Sequence, residues 1–208
     1  MTRPPRPSLF YLLVGLFSWP ILHFVFRYEA RGVEYLPRDG GYVLAAGHVS
    51  NFDPWPLAMA LWPRRFLRFM AKSELFWFPL GLLIAAAGAF KVHRGQADYE
   101  AMATAEQLAR DGHVIAMFPE GTRRRKGLRK KWQPERHTGA ARIALGADVP
   151  LIPAGIKGTD GLRRLEKLRV VYGPAVSLDD LRDLDPREAA QVATDRLMER
   201  IHTLEESL

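Results

Sequence analysis

A histidine and an aspartate stand five positions apart in Gly47-His48-Val49-Ser50-Asn51-Phe52-Asp53-Pro54. That spacing lets the carboxylate turn back across a tight loop and accept the proton on one imidazole nitrogen. The other nitrogen is then a base. Such a pair is two thirds of the serine-hydrolase constellation without an enzymic nucleophile, and it can deprotonate a hydroxyl that the substrate brings. Ser50 lies in no G-x-S-x-G elbow, so no covalent enzyme intermediate is expected. Taken alone, the pair also fits a plainer reading, in which Asp53 caps a helix and His48 is a hydrogen-bonded loop residue.

The elements around the pair must place it at a strand-to-helix turn. Tyr42-Val43-Leu44-Ala45-Ala46 is short, apolar and free of breakers, which predicts a buried strand of an α/β sheet. Asp53 is a favoured N-cap and Pro54 a favoured first helical residue, so a helix is expected to follow, with Leu57, Ala58 and Leu61 as its apolar stripe. His113 to Phe118 reads as a parallel strand whose carboxyl end carries Pro119-Glu120-Gly121-Thr122-Arg123. In alternating α/β sheets ligands bind beyond the carboxyl ends of strands, so this loop should lie beside the His48 loop. A basic run, Arg123 to Lys131, follows the glycine turn, where backbone N–H groups and guanidinium forks can share a phosphate. A solvated loop is the ordinary alternative for such a run.

A strand and turn are expected over Arg31 to Pro37, leading to Gly40-Gly41, and further strands at Phe66 to Ala71, Val149 to Ile156 and Leu168 to Tyr172. The prolines of Val149-Pro150-Leu151-Ile152-Pro153 predict an edge strand or an irregular entry into the sheet. Helices are expected from Asp98, with Met102, Ala105, Leu108 and Ala109 on one face, from Thr138 to Leu145, and from Asp185-Pro186 onward, with Ala189, Val192, Leu197 and Ile201 packed on the sheet.

Residues 8–26, SLFYLLVGLFSWPILHFVF, carry no formal charge apart from one titratable histidine, His23. The length is near the roughly 20 residues that span a bilayer, but Pro20 and His23 interrupt it. No small-residue cleavage site follows, which argues against a signal peptide. Aromatic residues flanked by arginines suit a membrane-seated anchor kinked at Pro20, with a buried helix or a spanning helix as the alternatives. The run Leu75 to Phe90 is also without charge but is broken by Pro79, Gly81 and Gly88. It reads as a hydrophobic wall for an acyl chain, partly seated in lipid, or as plain core.

The 208 residues suffice for one domain with a substantial core, here 29–208, preceded by an anchor at 1–28. There is no cysteine, which excludes disulfides, thiolate metal sites and a cysteine nucleophile. His48 and Asp53 alone are too few to ligate a metal, and none is expected. A formal net charge of +7 favours anionic partners without choosing among them.

Four segments together resemble the glycerolipid acyltransferases typified by 1-acylglycerol-3-phosphate O-acyltransferase. HVSNFD is similar to their first motif, Val92-His93-Arg94 to the second, Phe118-Pro119-Glu120-Gly121-Thr122-Arg123 to the third and Val149-Pro150-Leu151-Ile152-Pro153 to the fourth, in the family's order. The second motif has His93 where the family usually has an acidic residue or asparagine. Arg136-His137-Thr138 stand before Gly139-Ala140 where the family commonly has a lysine. The resemblance implies a mixed, mostly parallel α/β sheet flanked by helices, with an N-terminal membrane-associated segment. It also implies transfer of an acyl group from a thioester, on coenzyme A or acyl carrier protein, to the free hydroxyl of 1-acylglycerol-3-phosphate, giving phosphatidic acid. No cofactor beyond that co-substrate is implied.

In that family the first-motif histidine is the general base and its aspartate orients it, which falls here on His48 and Asp53. The second-motif arginine binds the acceptor phosphate and corresponds to Arg94. Glu120, Gly121, Thr122 and Arg123 correspond to residues that hold glycerol and phosphate, and Lys72 to a lysine that binds phosphate. The implied partners are a membrane lipid acceptor and the membrane surface, on the cytoplasmic face, with no nucleic acid. The alternatives are another acceptor, glycerol-3-phosphate or a lyso-ornithine lipid, and a non-catalytic module that binds anionic surfaces through the basic run, which would survive loss of His48.

Overall fold

The computed structural model describes residues 6–92, 98–120 and 137–208, and of residues 72, 92 and 98 the backbone alone. Ser8 caps the first helix, α1 (Leu9–Pro20), its hydroxyl accepting from the Tyr11 N–H at 3.1 Å. At Pro20 the helix passes into a π-helical turn, Ile21–Val25. A residue without an N–H disturbs the helical ladder, and a widened turn absorbs the disturbance. The break expected at Pro20 takes that form.

Twelve residues of α-helix rise about 18 Å, well short of the roughly 30 Å of hydrocarbon in a bilayer. No helix among the described residues is long and apolar enough to cross a membrane. Instead, one side of this segment packs on the rest of the protein. Gly15 lies directly under the Trp62 indole, whose N–H donates to the Leu12 carbonyl at 3.2 Å. Tyr11 meets Phe66 edge-on at 4.6 Å, and Leu22 and Phe26 pack with Met59 and Leu168. The other side, including Leu16, Phe17 and Phe24, is exposed.

The chain then alternates strands and helices: β1 (Glu29–Arg31), β2 (Tyr42–Ala46), α2 (Pro54–Met59), β3 (Leu67–Lys72), α3 (Leu80–Ala86), β4 (Ala89–Val92), α4 (Asp98–Arg110), β5 (Val114–Met117), α5 (Gly139–Ala147), β6 (Leu151–Lys157), β7 (Arg169–Tyr172) and α6 (Pro186–Glu206). The seven strands form one sheet in the order β1-β7-β6-β2-β5-β3-β4, with every neighbouring pair parallel except β6–β7. The α/β class and the mostly parallel sheet agree with the sequence reading.

Successive residues of a strand face opposite sides of the sheet, and β2 shows it. Val43 and Ala45 enter a core built with α4, α5 and α6, while Tyr42, Leu44 and Ala46 enter a second core with Leu57 and Leu61. Small side chains let α5 approach the sheet closely, Ala140, Ala141 and Ala144 all being buried. Asp185 caps α6 as expected, accepting from the N–H groups of Arg187 and Glu188.

Of the two placements expected for the strand with the prolines, an edge or an irregular entry, the edge is not what forms: β6 lies inside the sheet, between β7 and β2. Pro150 falls before the strand. Pro153 turns its carbonyl toward the β7 side, where it accepts from the Gly173 N–H at 2.9 Å, just beyond the last paired residue of β7. A strand residue's N–H and C=O point the same way. The missing donor therefore falls where the ladder has already ended, and the pairing of Pro153 with Ala45 of β2 is kept. Over Arg31 to Pro37, where a strand and turn are expected, the strand β1 ends at Arg31 and a 3-10 turn follows at Val33–Tyr35.

Candidate active site

Because β5, β2 and β6 are neighbours and run parallel, their carboxyl ends reach one edge of the sheet. The loop after β2 carries His48 and Asp53, the loop after β5 carries Phe118 to Glu120, and the turn after β6 carries Thr159. This edge is where open α/β sheets place ligands.

At the centre, His48 Nδ1 and Asp53 Oδ2 are 2.7 Å apart. A carboxylate can only accept, so the neutral ring carries its proton on Nδ1 and holds the lone pair on Nε2. The ring is fixed from a second direction by Phe118, stacked on it with centroids 4.3 Å apart and planes 24° apart. His48 keeps 18% of its side chain exposed while Asp53 is fully buried. The imidazole therefore reaches the surface and its partner does not.

Burying a carboxylate is costly unless its lone pairs are satisfied. Asp53 Oδ2 accepts from the backbone N–H groups of Val49 and Ser50, both at 2.9 Å, as well as from His48. Oδ1 accepts from the Thr159 hydroxyl at 2.5 Å. With those bonds Asp53 folds its own loop around the histidine.

The helix-capping role expected for Asp53 is absent: the residue stands at the N-cap position of α2, yet its side chain bonds to no helical N–H. An N-cap side chain bonds to the second or third helical N–H. Here the third residue is Pro56, which has none, and the Trp55 N–H is already given to the Phe52 carbonyl at 3.0 Å. Pro54 and Pro56 thus leave the carboxylate free to turn toward the loop. Two tyrosine hydroxyls hold α2 in place, Tyr28 donating to the Pro56 carbonyl at 2.8 Å and Tyr172 to that of Leu57 at 3.1 Å.

Of the other expected site residues, Glu120 is 3% exposed, two positions past the ring that stacks on His48. The His137 N–H donates to the Pro119 carbonyl at 2.8 Å, so the chain returns to this loop before α5, with the His137 side chain exposed. Lys72 ends β3, next to β5 and at the same edge; its side chain is outside the described set. Arg94, Gly121, Thr122 and Arg123 lie outside the described residues. Among the described residues no group of three or more His, Asp or Glu could hold a metal.

The sequence profile of the acyltransferase family matches residues 27–157, which takes in both the His48 loop and β6. The chain belongs to the acyltransferase family. Among its relatives, the 1-acyl-sn-glycerol-3-phosphate acyltransferase of Bacillus subtilis (strain 168) is 30% identical over 181 residues, 84% of this chain and 86% of that protein. The protein of the same name from Streptococcus pneumoniae (strain ATCC BAA-255 / R6) is 28% identical, over 81% of this chain and 62% of that one. The fold is similar to the crystal structure of the 1-acyl-sn-glycerophosphate (LPA) acyltransferase PlsC from Thermotoga maritima, with a TM-score of 0.67 and 22% identity over 94% of this chain and 78% of that one.

Two features of this acyltransferase's site escape a reading by motif alone. Phe118 begins the third motif, but its role as a platform for the imidazole needs the adjacency of β2 and β5. Thr159 stands outside all four motifs, two residues past the last residue of β6.

Proposed function

We propose that this acyltransferase moves a fatty acyl group from a thioester of coenzyme A or acyl carrier protein to the free hydroxyl of 1-acylglycerol-3-phosphate at a membrane surface, giving phosphatidic acid. The observation that carries the reading is the His48–Asp53 pair, with Nδ1 bound to the carboxylate and the ring stacked on Phe118. The names of the relatives favour the acceptor.

An alcohol is a poor nucleophile until its proton leaves, so an oriented neutral imidazole suits the task. His48 Nε2 takes the proton of the acceptor hydroxyl as its oxygen attacks the thioester carbonyl. The tetrahedral intermediate then expels the thiolate, which is protonated by the same imidazolium. The ester bond forms, the carbon–sulfur bond breaks, and the base is regenerated without any covalent enzyme species. The buried carboxylate of Asp53 stabilises the transient imidazolium. Lys72, Arg94, Glu120, Gly121, Thr122 and Arg123 are the residues proposed to hold the glycerol and phosphate.

The membrane setting is supported by the apolar side chains that α1 and the following turn leave exposed, Leu9, Leu16, Phe17 and Phe24 among them. A second set around α3 includes Trp77, Phe78 and Leu82. Exposed apolar residues at this density mark a surface that meets something other than water. The cytoplasmic face of that membrane is part of the proposal.

The deciding experiment offers purified protein in detergent lysophosphatidate with acyl-CoA and, separately, with acyl carrier protein thioester, beside a His48→Ala variant. Phosphatidic acid is the expected product with free thiol released in equal amount, and the variant should lose about a hundredfold to ten-thousandfold in kcat, the range of positioned general-base catalysis. Full turnover by the variant would remove His48 from the mechanism. Free fatty acid in place of phosphatidic acid would make the protein a hydrolase.

A further inference from the structure

The catalytic pair is held from a third strand. Thr159 is 106 positions from Asp53 in sequence, yet its hydroxyl donates to Oδ1, the carboxylate oxygen that the His48 loop does not use. Both groups are buried, Thr159 at 2% exposed. The contact follows from the sheet order, since β6 lies beside β2 and both end at the same edge. It also needs the turn between. Gly158 has φ of +97°, where an added Cβ would run into the Lys167 carbonyl, and that left-handed residue reverses the chain so that Thr159 faces inward.

We propose that Thr159 is a positioning residue of the acyl-transfer reaction, locking the Asp53 carboxylate so that Oδ2 alone faces His48 Nδ1. The proposal rests on His48 acting as the base. The carboxylate has two oxygens related by a rotation about its terminal bond, and that torsion is broad. Three N–H donors converge on Oδ2 and one hydroxyl occupies Oδ1. With Oδ1 engaged, rotation would break four hydrogen bonds at once around a carboxylate that is fully buried. Without it, the carboxylate can share its donors between both oxygens and the imidazole loses its fixed direction. The threonine touches neither substrate nor reacting atoms; its effect passes through Asp53.

Thr159→Val keeps the branched shape and removes the hydroxyl. Its kcat should fall about tenfold to hundredfold, the size seen when the hydrogen-bond partners that orient metal-ligating histidines are removed. KM for either substrate should stay within about twofold, since ground-state binding is untouched. Thr159→Ser should recover most of the lost kcat. In an Asp53→Ala background, where no carboxylate is left for Thr159 to hold, the valine substitution should change kcat by less than about twofold, because groups acting as one unit are not additive. Thr159→Ala carries the same expectation should the valine variant fail to fold.

Three results would overturn the proposal: wild-type kcat in Thr159→Val at whatever melting temperature, equal losses in the valine and serine variants, or a loss in the Asp53→Ala background as large as in the wild type. These differ from failure of the functional reading itself, which His48→Ala reports independently.

Discussion

The arrangement at Asp53 separates what charge does from what shape does. Its carboxylate is buried and fully bonded, so replacing it with an isosteric amide tests the charge with little change in packing. In Asp53→Asn the amide oxygen can face the three N–H donors while its NH2 faces Thr159, whose hydroxyl turns to accept. The imidazole tautomer is then kept, and what is lost is the negative charge opposite the imidazolium that forms during transfer. We expect kcat to fall about a hundredfold, less than the roughly ten-thousandfold found where such an exchange also inverts the tautomer in a catalytic triad. Steady-state kinetics on folded protein checks this. A loss below about threefold would mean that orientation, and not charge, is what Asp53 contributes.

At the scale of the elements, the strands were legible where they are buried on both faces. β2 and β5 are short uninterrupted apolar runs, and a parallel strand covered by helices on both sides has no polar face to alternate with. What misled was proline. Pro153 reads locally as a reason to place β6 at an edge, and only the length of β7 makes an interior place acceptable. Pro56 misleads in the opposite sense: the capping signal at Asp53 comes from residue type, while the missing third N–H that frees the carboxylate stands three residues further on. Thr159 was beyond reach, because no local pattern states that β6 will lie beside β2. The start of β5 holds a testable consequence of packing. His113 is partly buried against Arg68 and Arg65, with Asp111 nearby, and burial first and the arginines second push its pKa below the usual 6.5. The unfolded chain therefore binds a proton more readily than the fold does, so stability is present above about pH 6.5 and is lost as pH falls from there toward the lowered value. Melting curves between pH 7.5 and 5 should show that decline, and His113→Asn should flatten it. Parallel pH profiles for the two proteins would show that another group is responsible.

For the whole molecule, the proposed membrane seat follows from a contrast within one segment. Tyr11, Gly15 and Leu22 fasten α1 and its π-helical turn to the domain, while Phe17 and Phe24 on the same segment are 70% and 75% exposed. The fixed side means that the apolar side is presented at a constant angle and cannot fold away. Burying a phenylalanine is worth roughly 1.5–3 kcal/mol, so the pair together, at the low end of that range, should supply on the order of a hundredfold in partition onto lipid. The net charge of +7 adds attraction to anionic lipid, which salt screens. The two contributions can be separated by sedimentation with vesicles of phosphatidylcholine and of phosphatidylglycerol at low and high salt. Phe17→Ser/Phe24→Ser should lower binding about a hundredfold on both lipids and at both salts, with the melting temperature little changed because both side chains are mostly exposed, Phe24 meeting the Trp19 ring edge-on at 6.0 Å. Raising the salt should weaken only the binding to phosphatidylglycerol. Undiminished binding by the double variant would move the membrane contact away from α1, and the exposed Trp77, Phe78 and Leu82 near α3 would then be the surface to test.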